Sequence, residues 1–428
     1  MIRSKLSAVT EEGIRIGRLQ LGYAHQHGSN KDITMKVVHF VHAYLHTTQN
    51  WCYQLIKNLS SVKLVVVSEQ ILNEGSFPLP DARFIIAPYA RWPIDGPTLR
   101  ERVTARLTLT LGLVWRRLML FRMREVDIMH AHFSFMGWRY LWLSRMTGVP
   151  LVVSFYGFDY EYLPRTNPAW VQRYRKLFKK AALFLVEGTA GRNKLIQMGC
   201  AAEKVKVVRL GVPVDRIPYY ERKKRSGELK LVQIASFVEK KGHDVTIKAF
   251  IRSFQRCPHM TLTLVGKDTA GIRDSLKRSI SEAGLDSHVE FIDGIDFSRL
   301  YSFMKEYHVF IHPSRYARSG DCEGGAPVVL LDAQATGMPV LSTFHCDIPD
   351  EVVHGETGLL VNENDIEALS KAIDTFYTMD EPTYLEYCRR ARNHVVQNYE
   401  IVQCSAELRK VYEDLLQERS RGMQRGKE

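Results

Sequence analysis

The chain has 428 residues, of which 45% are apolar and 25% are charged, and its formal net charge is +12 at pH 7. This length is too great for one ordinary core and predicts two domains of about 200 residues each, with the composition of an ordinary soluble globular protein. The seven cysteines are scattered and form no CxxC pair, which argues against a disulfide framework or a zinc site. No run of 18 or more uncharged apolar residues appears, so we expect no transmembrane helix.

The first half of the sequence alternates short β-rich apolar runs with helical stretches. Most of these runs are continuously apolar, as expected for strands that are buried on both faces of a sheet. The predicted strands are 36–41, 62–68, 83–88, 127–133, 151–157, 183–188 and 206–211.

The second half repeats this pattern, with predicted strands at 229–236, 261–266, 289–294, 309–314, 339–343 and 358–361. Alternation of strands and helices predicts parallel sheets covered by helices, so the fold class is α/β with two Rossmann-like domains that face each other across a cleft. We predict an extension with little order at 1–34, an N-terminal domain at 35–212, a charged linker at 213–228, a C-terminal domain at 229–398, and a C-terminal helix with a basic tail at 399–428.

The charge is concentrated in the first half of the chain. Residues 1–215 contain 30 Lys and Arg against 15 Asp and Glu, which indicates an anionic partner or an anionic surface. Within this half, residues 99–124 combine arginines with Leu, Val, Trp and Phe. Such a helix can lie in a membrane interface, and the alternative is a core-facing helix with a solvated basic face. The N-terminus has no secretory signal, so we expect a cytoplasmic protein, peripheral on the inner face of the cytoplasmic membrane.

The stretch "EGGAPVVLLDAQATGMPV" (323–340) places glycines next to Glu323 and a second acid, Asp332, on the helix that follows. We predict that this helix begins near Ala326 or Pro327, which places Asp332 roughly 9 Å along it. Glycines let the backbone approach a sugar or phosphate closely, and a helix N-terminus attracts anions. A nucleotide-diphosphate sugar would fit Glu323, the amides of Gly324 and Gly325, and Asp332, whereas the alternative is a plain loop with two solvated acids.

Two other segments favour the ligand. In "IASFVEKKGHDVTIKAF" (234–250), Lys241 lies in the turn between a strand and a helix, where its charge can neutralise a diphosphate. The loop "HPSRYARSGDCEGG" (312–325) follows a buried strand and leads into the glycine turn, a position typical of a binding site.

The order of these motifs resembles the retaining, metal-independent glycosyltransferases of family four (group 1), which have the GT-B fold, and especially those of bacterial exopolysaccharide and colanic acid biosynthesis. The resemblance covers about 35–416 and includes "DIMHAHF", "LGVPVD", "VEKKGHDVTIKAF", "VFIHPS" and "EVVHGETGLLV". It implies that Glu323 and the neighbouring amides of Gly324, Gly325 and Ala326 hold the transferred sugar, that Asp332 holds the ribose, and that Lys241 binds phosphate.

Three features depart from the family pattern. The two acids are separated by eight residues instead of seven, and the second acid is Asp instead of Glu. Ser236 occupies the position where the family has a phosphate-binding arginine, so Arg315 or Arg318 would have to supply the missing charge.

In the N-terminal domain the resemblance implies an acceptor site. His132 is the candidate catalytic residue there, and the alternative is a core histidine with satisfied hydrogen bonds. Tyr156, Asp159, Glu187 and the segment 44–51 lie at predicted strand ends that face the same cleft.

The resemblance implies hexosyl transfer with retention from a nucleotide-diphosphate sugar, with the leaving phosphate acting as base. It requires neither a cofactor nor a metal, and the sequence has no DxD motif. We expect a saccharide acceptor carried on a lipid such as undecaprenyl diphosphate, contact with an anionic membrane surface, and no nucleic-acid partner. The alternatives are a non-catalytic GT-B protein that binds sugar nucleotide or glycan, a nucleic-acid binder, and an epimerase or phosphorylase of the same fold.

Overall fold

The structure is a computed structural model, which describes residues 35–45, 49–73, 75–87, 115 and 117–425. Among these residues, no helix has both the length and the apolar character that are needed to cross a bilayer.

Seven strands form the first sheet, and every pair of neighbours in it is parallel. Its strand order is β3-β2-β1-β4-β5-β6-β7. The strands are β1 (Met35–Tyr44), β2 (Val62–Ile71), β3 (Arg83–Ile86), β4 (Ile128–His132), β5 (Leu151–Ser154), β6 (Leu183–Val186) and β7 (Val205–Val207).

Six strands form the second sheet, which is also entirely parallel. Its order is β10-β9-β8-β11-β12-β13. The strands are β8 (Leu229–Ile234), β9 (Met260–Val265), β10 (Val289–Ile292), β11 (Val309–His312), β12 (Val340–Thr343) and β13 (Gly358–Val361).

The helices connect these strands and cover the sheets, and buried apolar clusters lie against both. The helices with assigned bounds are α1 (Asn50–Lys57), α2 (Ser134–Thr147), α3 (Leu163–Thr166), α4 (Ala169–Lys180), α5 (Thr189–Gln197), α6 (His243–Phe254), α7 (Arg273–Glu282), α8 (Leu300–Met304), α9 (Val329–Ala335), α10 (Ile348–Glu351), α11 (Ile366–Thr378), α12 (Glu381–Asn398) and α13 (Ile401–Arg425).

All thirteen predicted strands are present, and the predicted fold of two parallel-sheet domains is confirmed. The largest boundary error is at β7, which ends at Val207 and not at residue 211. Apolar residues continue beyond the last paired position because they remain buried where the chain enters the loops, as Phe155 and Tyr156 do after β5.

The charged linker predicted at 213–228 packs against the C-terminal domain. Arg222 is buried and donates to the backbone oxygens of Tyr307, Thr336 and Met304, and Lys224 donates to the backbone oxygens of Tyr377 and Met379. Backbone carbonyls thus satisfy both of these buried charges inside the protein.

The C-terminal helix α13 returns to the N-terminal domain. Its residues Leu408, Tyr412 and Leu415 are buried in the same cluster as Met35 and Leu183. The C-terminal segment therefore completes the core that β1 begins.

Residues 99–114 and 116 of the predicted basic amphipathic stretch lie outside the described residues, as do residues 1–34. In the part that is described, Met119 and Met123 are buried in the core, while Leu118 and Phe121 are exposed. The spacing of Met119 and Met123 gives this end of the stretch a core-facing side, and its other side carries exposed apolar groups.

Candidate functional site

Lys241 and Glu323 meet at the switch point of the second sheet, where chain connections leave β8 and β11 in opposite directions. Ligands bind at such a point in open α/β sheets because the loops that follow the two strands separate and leave a crevice. Lys241 follows β8 and Glu323 follows β11, and the Lys241 Nζ lies 2.7 Å from the Glu323 Oε2. The predicted phosphate lysine and sugar-binding acid are therefore in direct contact.

The turn that carries Lys241 is fixed by its neighbours. Gly242 has a φ of +68°, and a Cβ there would lie 2.1 Å from the Pro313 carbonyl oxygen, so only glycine fits. The Gln233 side chain donates to the Lys241 carbonyl at 2.7 Å, and its own oxygen accepts from Thr246. The backbone at Lys241 is thus tied both to β8 and to α6.

Glu323 lies in a polar pocket that keeps it ionised. Its Oε1 accepts from the Ser314 hydroxyl at 2.8 Å and lies 3.6 Å from the His312 Nε2. Burial by itself would raise the pKa of Glu323, but attraction to Lys241, with His312 and Lys240, holds this pKa well below its usual value. His312 is itself buried, and burial lowers its pKa.

The glycine turn is covered by the N-terminal domain. Gly324 has a φ of +81°, and a Cβ there would lie 1.7 Å from the Gly157 Cα. The Tyr160 hydroxyl donates to the Gly324 carbonyl at 2.6 Å, and a Cβ on Gly325 would meet the Glu187 carboxylate. The turn that was predicted to line an open cleft is therefore buried against the other domain, and both of its glycines permit this close approach.

Asp332 lies in the first turn of α9, because this helix begins at Val329 and not near Ala326 or Pro327 as predicted. The residues from Ala326 to Val328 connect the glycine turn to this helix. Asp332 is 8% exposed, accepts from the Tyr301 hydroxyl at 3.1 Å, and has a pKa raised to about 7 by burial, with the Tyr301 hydrogen bond opposing this shift. Among the described contacts of Asp332, none reaches Lys241 or Glu323.

Two other candidate donor-site residues, Ser236 and Arg315, lie in the loops that follow β8 and β11. Ser236 is exposed in the loop after β8, where its carbonyl accepts from Val238. Arg315 is mostly buried, and its guanidinium donates to Asp244 at 2.7 Å and to Asn364 at 2.7 Å. Arg315 thus holds its loop against α6 in this structure, with its charge paired.

His132 ends β4 but lies inside the N-terminal domain. Its Nε2 lies 3.0 Å from the His39 Nδ1, its Nδ1 lies 2.8 Å from the Tyr156 hydroxyl, and it is fully buried. Burial lowers the pKa of His132 to about 3, so the ring is neutral at physiological pH. This environment matches the core-histidine alternative.

Asp159 and Glu187 have different surroundings. Asp159 accepts from the backbone and hydroxyl of Ser134 and from the Tyr156 amide, so it fixes the loop after β5. Glu187 lies against Gly325 at the contact between the domains, and burial, with repulsion from Asp347 and Asp159, raises its pKa to about 8. Residues 46–48 of the predicted pocket segment lie outside the described residues.

Several residues that complete the site were not predicted from the sequence. Ser314, His312 and Tyr301 contact the two acids, and Tyr160 contacts the glycine turn. Ser314 and His312 lie in the recognised "VFIHPS" motif, so their position at a strand end was a usable signal. Tyr301 and Tyr160 belong to other elements, and only the tertiary fold brings them close.

Comparisons with known proteins identify the family of the chain. Residues 65–216 match the model of Glycosyltransferase Family 4, and residues 220–394 match the model of Glycosyl transferases group 1. The chain is 30% identical over 279 residues to the colanic acid biosynthesis glycosyltransferase WcaL of Salmonella typhimurium, a match that covers 64% of this chain and 67% of that protein. It is 32% identical over 197 residues to the amylovoran biosynthesis glycosyltransferase AmsK of Erwinia amylovora, covering 46% and 48% respectively.

Solved structures agree in fold at lower identity. Anabaena HepE in complex with UDP-glucose superposes with a TM-score of 0.68 and 16% identity, covering 89% of this chain and 100% of that one. A glycosyltransferase of Rickettsia africae superposes with a TM-score of 0.70 and 14% identity, covering 90% and 99%. With one family model on each half and two parallel-sheet domains, the chain belongs to the group 1 glycosyltransferases of family four and has the GT-B fold.

Proposed function

We propose that the protein transfers a hexose from a nucleotide-diphosphate sugar to a saccharide acceptor with retention of anomeric configuration. The observation that carries this proposal is the buried contact between Lys241 and Glu323 at the switch point of the second sheet. A charged pair at this position offers a cation for a diphosphate and an acceptor for sugar hydroxyls on adjacent loops.

Lys241 neutralises the charge that develops on the leaving diphosphate. Its ammonium group has three donors, of which Glu323 takes one, so the others remain for phosphate oxygens. The low pKa of Glu323 keeps it a hydrogen-bond acceptor for the hydroxyls of the transferred sugar. In this mechanism the positive charge comes from Lys241, and no divalent metal is required.

Asp332 and Tyr301 hold the ribose in this proposal. The Tyr301 hydroxyl orients the Asp332 carboxylate, which can accept from a ribose diol. Burial raises the pKa of Asp332 to about 7 because the carboxylate has lost hydrating water. Hydrogen bonds from the ribose hydroxyls would replace that hydration and stabilise the ionised carboxylate.

Donor binding requires the two domains to separate at the glycine turn. Gly157 packs directly on Gly324, and Glu187 lies against Gly325, so this conformation leaves no room for a sugar against those amides. Opening breaks the Tyr160 hydrogen bond to the Gly324 carbonyl, and closure on the bound donor then excludes water from the reacting bond.

The proton of the acceptor hydroxyl passes to the leaving diphosphate. The charge of Glu323 is paired with Lys241, and His132 is fully buried with both ring nitrogens in contact with other side chains, so we assign neither of them as the general base. The new glycosidic bond forms on the face from which the diphosphate departs, which gives retention.

The acceptor is proposed to be a growing exopolysaccharide unit on a lipid diphosphate at the inner face of the cytoplasmic membrane. The named products of the two bacterial relatives, colanic acid and amylovoran, support the polysaccharide class. The excess of basic residues in 1–215 and the exposed Leu118 and Phe121 support contact with an anionic, apolar surface.

Thermal shift with UDP-, GDP-, ADP- and TDP-sugars tests donor binding before the acceptor is known. A binding nucleotide stabilises the native protein by RT ln(1 + [L]/Kd), so one nucleotide series should raise Tm and the others should not. Lys241→Ala should abolish this shift, whereas Lys248→Ala, which removes an exposed lysine charge from α6, should retain it.

Slow hydrolysis of the bound sugar nucleotide tests for chemistry. NMR detection of the α-anomer as the first product of an α-linked donor would support retention, and the β-anomer would refute it. Binding without any turnover would place the protein in the non-catalytic class of GT-B proteins, and a shift that survives Lys241→Ala would refute the donor site.

A further inference from the structure

Cys322, His345 and Cys346 come together beside Glu323. Cys322 lies in the loop after β11, and the other two residues follow β12, the neighbouring parallel strand. Their sulfur and ring nitrogen atoms all lie within 4.8 Å of one another, and the Cys346 Sγ is 3.3 Å from the His345 Nε2. Cys322 and His345 are buried, and Cys346 is partly buried.

These atoms have the spacing of ligands around one soft cation. In tetrahedral zinc sites, Zn–S bonds of about 2.3 Å and Zn–N bonds of about 2.0 Å separate ligand atoms by roughly 3.5–3.8 Å. Closing the observed arrangement to that spacing requires shifts of about 1 Å or less, which side-chain rotation supplies. Two cysteines and one histidine are also a ligand set that zinc accepts with a fourth position left open.

Glu363 orients the histidine for this role. Its Oε1 lies 2.7 Å from the His345 Nδ1, so the ring donates there and carries its lone pair on Nε2. The Glu323 backbone N–H donates to this Nε2 at 3.2 Å, which requires the same tautomer. A carboxylate behind a histidine is the usual outer partner of a metal ligand.

The backbone at Cys346 helps to bring the three side chains together. Cys346 has a φ of +47°, an unusual conformation for a residue with a side chain, and this conformation places its sulfur next to the histidine.

A second group of three histidines, His39, His130 and His132, is fully buried in the N-terminal domain and offers no thiolate, so it suits a thiophilic cation less well. His130 contacts Tyr412 and Ser154, His132 contacts Tyr156 and His39, and only the His39 Nε2 has no partner among the described residues.

We propose that Cys322, His345 and Cys346 form a binding site for a thiophilic divalent cation such as Zn²⁺, and that its occupation inhibits the donor site. Zn²⁺ replaces the thiol protons and takes the lone pair of the His345 Nε2, so binding releases up to two protons to solvent. The Glu323 N–H then loses its acceptor, and the main chain that carries the Glu323 carboxylate toward Lys241 must move. The cysteines are far apart in the sequence without a CxxC motif, which is why their pattern predicted no zinc site.

Binding can be measured without any activity assay. The full-length protein, reduced and freed of metal, is titrated with Co²⁺, and Zn²⁺ affinity is then measured by competition with a chromophoric chelator. We expect one equivalent of Co²⁺ to produce a thiolate-to-cobalt charge-transfer band in the near ultraviolet. Cys322→Ser and Cys346→Ser should each lower Zn²⁺ affinity at least 100-fold, and Glu363→Gln should lower it about 10-fold because the histidine loses its orienting partner.

Cys257→Ser is the matched control, since it changes a buried cysteine elsewhere in the same domain and should leave both the band and the affinity unchanged. Far-UV circular dichroism confirms that each variant is folded. Absence of the band in the folded wild-type protein, equal affinities in wild type and Cys322→Ser, or a Cys322–Cys346 disulfide in protein kept under reducing conditions would overturn the assignment.

The inhibitory part of the inference rests on the proposed function and has its own test. We expect Zn²⁺ to reduce sugar-nucleotide turnover in the wild type and EDTA to restore it, while turnover in Cys257→Ser responds in the same way. Zn²⁺ binding with turnover unchanged would refute the coupling to Glu323. A protein that binds Zn²⁺ but never turns over a sugar nucleotide would refute the proposed function and leave the metal site intact.

Discussion

Replacement of Lys241 by methionine tests the central contact of the site. Methionine keeps the length of the side chain but removes the charge, and it leaves the Glu323 carboxylate, only 7% exposed, without its cation. At 2.7 Å and an effective dielectric of about 20, the lost attraction is about 6 kcal/mol before the cost of desolvation is subtracted. Breaking a buried pair by removal of one partner costs about 3–5 kcal/mol, and we expect Lys241→Met to fall in this range at pH 8.

The loss should depend on pH in a defined direction. In the wild type, the pKa of Glu323 is held well below 4.5, so its contribution to stability is present above pH 4.5 and is lost only as pH falls through the lower folded-state pKa. In the variant, burial acts without Lys241 and raises this pKa, so Glu323 destabilises the protein when it is ionised. The difference between the two proteins should therefore be largest near pH 8, should shrink as pH falls toward 4.5, and should vanish only below the folded-state pKa of wild-type Glu323.

The measurement is urea unfolding followed by two signals. All six tryptophans lie before residue 171, so their fluorescence reports on the N-terminal domain, while far-UV circular dichroism also follows the C-terminal domain that carries the change. The double variant Lys241→Met with Glu323→Gln should recover to within about 1 kcal/mol of wild type, because the neutral amide needs no cation and still accepts from Ser314. A cost below about 1 kcal/mol for Lys241→Met at pH 8, with no dependence on pH, would refute the buried ion pair.

Three further predictions concern other contacts. In urea titrations, Asp332→Asn should raise the free energy of unfolding by about 1–4 kcal/mol at pH 8 and leave it unchanged below pH 4. The reason is that burial raises the pKa of Asp332 to about 7, so the buried acid destabilises the protein at high pH and not below pH 4. A loss of stability at pH 8 would contradict this prediction. Tyr160→Phe should weaken the contact between the domains by about 1 kcal/mol and increase hydrogen exchange at the glycine turn. The control Tyr174→Phe loses a hydrogen bond within one domain and should not change this exchange. Equal exchange in both variants would show that Tyr160 does not hold the glycine turn against the N-terminal domain. Arg222→Ala should lower the free energy of unfolding in urea by at least about 3 kcal/mol, because buried carbonyls lose their donor. Replacement of the exposed Arg216 by alanine should lower it by less than about 0.5 kcal/mol. Similar losses in the two variants would show that the packing of the linker does not depend on Arg222.

The sequence predicted the parallel sheets well because their strands are short, apolar and separated by helices. Burial on both faces leaves a continuous apolar run, and this signal depends only on local composition. The positions of Lys241 and Glu323 at strand ends followed from the same argument, since the loops after parallel strands collect at one edge.

The first residue of α9 was not predicted correctly from the local sequence. Pro327 suits the first turn of a helix, but the chain from Ala326 to Val328 remains a loop while the glycine turn before it packs on Gly157. The glycine turn contacts a residue more than a hundred positions away in the sequence, and sequence periodicity carries no information about such contacts.

The sequence by itself determined the α/β class, the thirteen strands, the family and the identity of the two charged groups at the switch point. Only the tertiary structure decided that His132 lies in the core, that Arg315 is paired with Asp244, and that Cys322 meets His345 and Cys346. The physical reason is that strand formation depends on local burial patterns, whereas the protonation, pairing and exposure of a polar side chain depend on which distant segments pack around it.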